Sequence, residues 1–408
     1  MELRPILSAM RRNKVGAILI AVQMAITLAI LCNGLFIIEQ RITLSQRPTG
    51  TDEANVFVMT NQWAGNPSNV AALQQADLAA LRALPGVMDA TVSQSYPLSG
   101  GGSTDGISLK PDQKTETALS ALYLVDEHGL QALGVKLIAG RNFNADEILD
   151  LNGFTDRKSP AAAIVTRTLA EKLFPGQNAL GRPIYSMGEK AVIPIVGIVD
   201  QLQVPWVGAS GWGSKFSEQS MLVPFRFIST NYHYIVRTKP GQLNSVLQAA
   251  QKKLFEVNRA RVLQRIRTLT EARQKAYQDD IGLAIILGIV CAALVAVTAF
   301  GIVGLTSYWV AQRRRQIGIR RALGATRNAI IRYFQTENFL IAAAGAAAGV
   351  ALAVSLNLWM VNAFEMQRLH VSYTIVGAVV VLLLGQAAVL WPAMKAASIP
   401  PALATRSA

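Results

Sequence analysis

The sequence predicts an integral membrane protein with four transmembrane α-helices and an α+β extracytoplasmic domain, of two lobes, inserted between the first and second helices. Three observations predict it. Mean hydropathy is +0.31 with 16% charged residues, an unusual balance for a water-soluble chain of 408 residues. The apolar excess is gathered into four uncharged runs, Val15 to Ile38, Ile281 to Val310, Phe339 to Phe364 and Val371 to Met394. Each exceeds the roughly 20 helical residues that cross a hydrocarbon core about 30 Å thick. Finally, the stretch between the first and second runs has near-balanced charge and mixed strand and helix patterns.

Arg4, Arg11, Arg12 and Lys14 precede the first run, as in a signal peptide. The run is too long for a signal core and ends in Leu35-Phe-Ile-Ile-Glu-Gln-Arg41 without a small-residue cleavage site, so a retained anchor is expected. Before it, Leu3, Ile6, Leu7 and Met10 recur at helical spacing beside arginines, the pattern of a short amphipathic helix on the inner membrane surface.

A net charge of +14 would suit a nucleic-acid binder, but its distribution argues otherwise. From Arg41 to Asp280 there are 25 Lys/Arg against 21 Asp/Glu, so most of the surplus belongs to the membrane part. Arg313, Arg314, Arg315, Arg320, Arg321, Arg327 and Arg332 crowd the short link between the second and third runs with no acid among them. Basic short loops stay cytoplasmic, which puts this link and both termini inside and the large loop outside, with the turn from Glu365 to His370 also outside. The expected units are 1–40 (amphipathic helix and first span), 41–280 (outer domain and stalk) and 281–408 (spans two to four, with a cytoplasmic segment over 311–335).

In the outer domain, strands are expected at Asn55–Thr60, Val87–Gln94, Ile107–Leu109, Leu119–Val125, Ala161–Val165, Val192–Val199, Met221–Phe225 and Tyr232–Arg237. Helices are expected over Ser68–Leu84, capped by Ser68, and over Arg167–Phe174 and Leu243–Val257. No regular βαβ period links them, hence α+β. From Leu269 the chain reads as helix without a break into the second span, a stalk running from the outer domain to the cytoplasm.

Nothing requests catalysis. His128, His233 and His370 are isolated, and both cysteines, Cys32 and Cys291, fall in apolar runs, so no zinc site of usual spacing is legible. Gly208-Ala-Ser-Gly-Trp-Gly-Ser-Lys215 lacks the Gly-Lys-Ser/Thr order of a phosphate loop and reads as a loop bearing Trp206 and Trp212. The spacing of Gly345 and Gly349 in the third run allows close helix packing, within the subunit or across a dimer.

The basic link carries the most information. Arg313 to Arg315 can snorkel to anionic headgroups. Ile317, Ile319 and Leu323 supply apolar contacts, Gly324 can end a helical turn in the left-handed region, and Thr326 can cap the next helix. On the residues alone this is a topological anchor.

The run Gln312-Arg-Arg-Arg-Gln-Ile-Gly-Ile-Arg-Arg-Ala-Leu-Gly-Ala-Thr-Arg327 resembles the signature of the MacB/FtsX permease family, E-R-x-x-E-I-G-I-R-R-A-L-G-A-x followed by a Glu in the next span, here Glu337. Gln312 and Gln316 stand where the family often has Glu. The close of the chain, Trp391-Pro-Ala-Met-Lys-Ala-Ala to Arg406, resembles the family's ending with one extra residue before Arg406. Ala139-Gly-Arg-Asn-Phe143, Phe174 with Leu180-Gly181, and Ile195-Val-Gly-Ile-Val199 resemble its periplasmic core domain.

The resemblance implies a non-catalytic permease subunit of an ABC transporter in the bacterial inner membrane, dimerising with a second copy or a paralogous permease. Ile319, Arg320, Arg321, Ala322, Leu323, Gly324, Ala325, Thr326 and Arg327 would dock two copies of a cytoplasmic ATPase. ATP and Mg would be bound by that partner, with no cofactor on this chain. Because the chain begins with a span, the ATPase is expected to be a separate polypeptide. Export or efflux, with a periplasmic adaptor and an outer-membrane channel, is the leading expectation. Control of a periplasmic hydrolase as in FtsX, and lipoprotein extraction, are the alternatives. A sensor would need a cytoplasmic output domain, and the cytoplasmic pieces here are short.

Overall fold

The computed structural model describes residues 14–65, 67–153, 156, 158–186, 191–207, 216–364 and 367–398. The amphipathic N-terminal helix, the segment 208–215 with Trp212, and the ending from 399 onward lie outside the described residues. The chain forms two compact units, Leu44–Asp280 and a second built from Met1–Thr43 with Ile281–Ala408.

The first helix is α1 (Lys14–Ser45). The outer unit then runs β1 (Val56–Trp63), α2 (Val70–Arg82), β2 (Val87–Ser93), β3 (Ser103–Ser108), β4 (Ala118–Val125), α3 (Gly129–Leu133), β5 (Leu137–Gly140), β6 (Leu149–Asn152), β7 (Ala163–Thr166) and α4 (Arg167–Leu173). It continues with β8 (Pro183–Ser186), β9 (Ile193–Val199), β10 (Ser220–Ile228), β11 (Asn231–Thr238), α5 (Leu243–Val257), β12 (Arg261–Thr268) and α6 (Leu269–Ala276).

Two sheets organise this α+β unit. The first is antiparallel, ordered β12-β1-β11-β2, and covered by α2 and α5 through Leu78, Leu81, Val246 and Leu254. The second runs β4-β3-β8-β9-β7-β10, and β10 pairs back onto β4, closing a six-stranded ring with β5 and β6 alongside. Closure removes the free edges that a sheet of short strands would otherwise present. In β9 residues alternate between buried and half-buried, with Ile193, Ile195 and Val199 turned inward. The Ala139–Phe143 and Ile195–Val199 motifs meet here: Gly140 pairs with Gly197, and a Cβ on Gly140 would sit 2.2 Å from the Val196 carbonyl oxygen.

Several local expectations are corrected. Asn69, not Ser68, precedes α2, and no side chain caps it. The β3 strand begins at Ser103 and ends at Ser108, starting four residues ahead of the strand expected from Ile107. The uninterrupted stalk is not observed: α6 ends at Ala276, Tyr277 leaves helical geometry with φ −100 and ψ 8, and helix resumes at Gln278. Strands β5, β6, β8 and β12 went unread. β12 is the edge of its sheet, and its Arg265 takes φ 45 beside a shift of register against β1.

At one end of β12 lies a fully buried ion pair. Arg261 donates to both Asp77 oxygens at 2.8 Å, with both side chains 0% exposed. The Tyr234 hydroxyl donates to the same carboxylate, and the Trp63 ring stacks 4.2 Å from the guanidinium carbon. These bonds satisfy charges whose burial is otherwise costly.

The membrane unit contains α1 with α7 (Gln278–Gln312), α8 (Arg314–Ala322), α9 (Arg327–Phe364) and α10 (Val371–Ala397). Four of these, α1, α7, α9 and α10, are long and apolar enough to cross a membrane. Of the four, α1 is the most buried and α7 the least. Polar side chains join α1 to its neighbours: Thr27 hydroxyl to Thr298 hydroxyl at 2.7 Å, Asn33 Nδ2 to the Ala353 carbonyl at 3.1 Å. Gly345 and Gly349 face α1, where added Cβ atoms would meet the Ala21 carbonyl oxygen at 2.8 Å and Ala25 Cα at 3.0 Å. These glycines therefore pack one helix of the subunit against another.

Candidate functional site in the basic link

The link is an elbow whose bends follow from its residues. Arg313 breaks the path between α7 and α8 with φ −93 and ψ 9. α8 closes at Gly324, whose φ of +95 only glycine adopts readily. The Gly324 amide donates to the Arg321 carbonyl at 3.1 Å and the Ala325 amide to the Arg320 carbonyl at 3.0 Å, the paired bonds of a glycine-terminated helix. Thr326 then accepts at its Oγ1 from the Ala329 amide at 3.2 Å and starts α9.

Three arginines fasten the elbow to the bundle. Arg313 Nη1 donates to both Glu337 carboxylate oxygens, at 3.0 and 2.8 Å, and that carboxylate is 4% exposed. Arg320 lies 4.9 Å from the centre of the Tyr333 ring, and Arg321 Nη1 donates to the Ala397 carbonyl at the end of α10 at 2.8 Å. Ile317, Ile330 and Phe334 are buried beneath. Arg313 is thus a partner of Glu337 and not a headgroup anchor, whereas Arg314 and Arg315 remain exposed. The triplet Arg313 to Arg315 carries no signal saying which member turns inward. Only the spacing of 24 residues to Glu337, seen once α9 folds back, selects it.

The outward face is mixed. Leu323 is 83% exposed and Ile319 46%, between exposed Arg320, Ala322, Gly324, Thr326 and Arg327, while Ala325 and Arg321 are half-buried. A large apolar side chain held outward on a fastened element is costly in water unless something covers it. Covering Leu323 would stabilise by about 1.5–3 kcal/mol. Among the described residues no group of three or more His, Cys, Asp or Glu could hold a metal ion.

Four apolar helices, an α+β domain between the first and second, and an arginine-rich elbow between the second and third define a permease-type membrane protein. Residues 15–254 match the MacB-like periplasmic core domain and residues 285–401 the FtsX-like permease C-terminal domain, so the chain belongs to the MacB/FtsX family of ABC transporter permeases. It is 26% identical over 293 residues to the pyoverdine export ATP-binding/permease protein PvdT of Pseudomonas aeruginosa, covering 66% of this chain and 42% of that protein. The macrolide export ATP-binding/permease protein MacB of Chromobacterium violaceum is 23% identical over 241 residues, 55% of this chain and 33% of its own length. The chain therefore spans less than half the length of these relatives. A solved structure, the periplasmic region of MacB from Actinobacillus actinomycetemcomitans, aligns at a TM-score of 0.34 and 15% identity over 57% of this chain and 97% of that one.

Proposed function

We propose that this chain is the membrane permease of an ABC exporter of the bacterial inner membrane, driven by an ATPase that lies outside these 408 residues. The single observation that carries the proposal is the elbow: an exposed Leu323 on an element fastened through Glu337, Tyr333 and Ala397 to two spans. A lever needs both an outer contact and a stiff attachment, and the elbow supplies the pair. Two ATPase copies, each holding ATP and Mg, would grip the elbows of two permeases, either identical or paralogous. ATP-driven closure would rotate α8, and α7 would carry the movement toward the outer domain. The link and both termini would face the cytoplasm, following the arginine excess. Export of a cell-envelope substrate through an adaptor and outer-membrane channel follows by analogy with the names of the relatives.

The chain contains no Gly-x-x-x-x-Gly-Lys-Ser/Thr sequence. Purified alone, it is expected to hydrolyse no ATP, with turnover appearing once the partner ATPase is added in liposomes. ATP hydrolysis by the purified chain alone, with contaminating ATPases excluded, would overturn the division of labour.

A further inference from the structure

A cavity of about 490 Å³ opens beside the elbow, between the end of α7, the start of α8 and the last turns of α10. Two cations from different elements line it, Arg314 and Lys395, with the hydroxyl residues Ser307 and Ser398 and an apolar wall that includes Pro392. Among the described residues no carboxylate lines it. Neither cation has an ion-pair partner among the described residues; Lys395 only approaches the Trp391 ring, 5.2 Å from its centre. Arg314 sits in the first turn of α8, where the positive end of the helix dipole adds to its charge, and that turn holds no acid. The contrast with Arg313 is direct, since that neighbour has Glu337. Two like charges brought to one cavity by separate elements repel unless an anion lies between them.

The surroundings indicate which anion. Trp391 is 56% exposed at the end of an apolar span, the position of an interfacial aromatic. Phe300, on the α7 face that leads to Ser307, is 76% exposed, and Val380, on the α10 face that leads to Trp391, is 51% exposed. A charged head site thus continues into apolar helix flanks. We propose that this cavity binds the phosphate of an anionic phospholipid, with Arg314 and Lys395 on the phosphate, Ser307 donating a further hydrogen bond, and the acyl chains along α7 and α10. The site stands whether or not the elbow docks an ATPase.

Native mass spectrometry of the full chain in detergent tests it, titrating phosphatidylglycerol against phosphatidylethanolamine with the same acyl chains. Phosphatidylglycerol should bind more tightly, and the pair Arg314→Gln with Lys395→Gln should weaken it about thirtyfold, from about a fivefold effect per basic residue. Arg315→Gln with Arg332→Gln removes the same charge from exposed positions outside the cavity and should leave affinity within about threefold. Trp391→Ala, which keeps the charge, should also weaken binding. Equal losses from the two charge pairs would mean diffuse surface attraction and overturn the site. So would equal binding of the two lipids, or displacement of the lipid by millimolar inorganic phosphate, which would mark a free-anion site.

Discussion

At the scale of single residues, Leu323 and Gly324 separate an anchor from a docking element. An aspartate at Leu323 leaves every arginine that sets orientation in place, but it would bury an unpaired charge in any contact covering the position. Leu323→Asp is therefore expected to insert normally and lose the ATPase by about a hundredfold in affinity. Pull-down at matched expression measures this, and undiminished recovery would leave the elbow as an anchor only. Gly324 has open space around its Cβ position, so its constraint is its φ of +95 alone. Gly324→Val should then impair coupling where Gly324→Asn, which tolerates the left-handed region, largely preserves it. The same measurement, run on both variants, distinguishes strain from bulk.

His233 gives a residue-scale prediction for pH. Burial, reinforced by Arg265 and Arg267, pushes its pKa down from 6.5 to about 4. Its Nδ1 lies 3.0 Å from the Thr60 hydroxyl and its ring meets Tyr96 edge-on at 5.1 Å. Since the folded pKa lies below the unfolded one, the contribution is complete above about pH 6.5 and lost as pH falls toward 4. The size is about 3 kcal/mol, from about 1.4 kcal/mol per unit. Thermal unfolding of the full chain between pH 4 and 7 should show this slope, and His233→Gln should flatten it. An unchanged slope in the variant would assign the acid sensitivity to Glu53 and Glu147, whose carboxyls are held low by Arg273 and Arg141.

At the scale of elements, what was legible followed from hydrophobic period and length. The four spans and α5 were plain because long apolar runs and a strong helical stripe have few other solutions. Strands β1, β2, β4, β9, β10 and β11 were plain because β-branched, aromatic and other apolar residues cluster in them. β12 was hidden because Arg261, buried against Asp77, and Arg265 and Arg267 interrupt its apolar pattern, and β5, β6 and β8 because four-residue strands carry almost no period. The helix break at Tyr277 has no Gly or Pro to announce it. In the elbow, the glycine stop and threonine cap were readable from local rules, but the inward turn of Arg313 required α9 to bring Glu337 opposite it. The GxxxG pair was readable as small residues, and its partner only from the packing. Gly345→Ile should force α1 and α9 apart and lower the melting temperature, costing about 1–3 kcal/mol. Gly304→Ala, on the open face of α7, should be near neutral. Melting in detergent compares the two, and an unaffected Gly345→Ile would place the tight contact elsewhere.

At the scale of the whole molecule, charge asymmetry sets the side on which each part lies. A cysteine at Ser103 should react with an impermeant maleimide in intact spheroplasts, and one at Thr326 should not. The reverse pattern would invert the protein. The first sheet also has a consequence for how the protein is made. β1 finds both neighbours only in β11 and β12, and Thr60 meets His233 across 173 residues of chain. At about 5–20 residues per second, β1 waits on the order of 10–30 s after synthesis with neither edge paired. The ring of β3, β4 and β7 to β10 is complete by Ile228, before β11 exists. The intervening barrel can therefore fold during translocation, while Val56-Phe-Val-Met59 stays an open, apolar strand that a periplasmic holding chaperone would recognise.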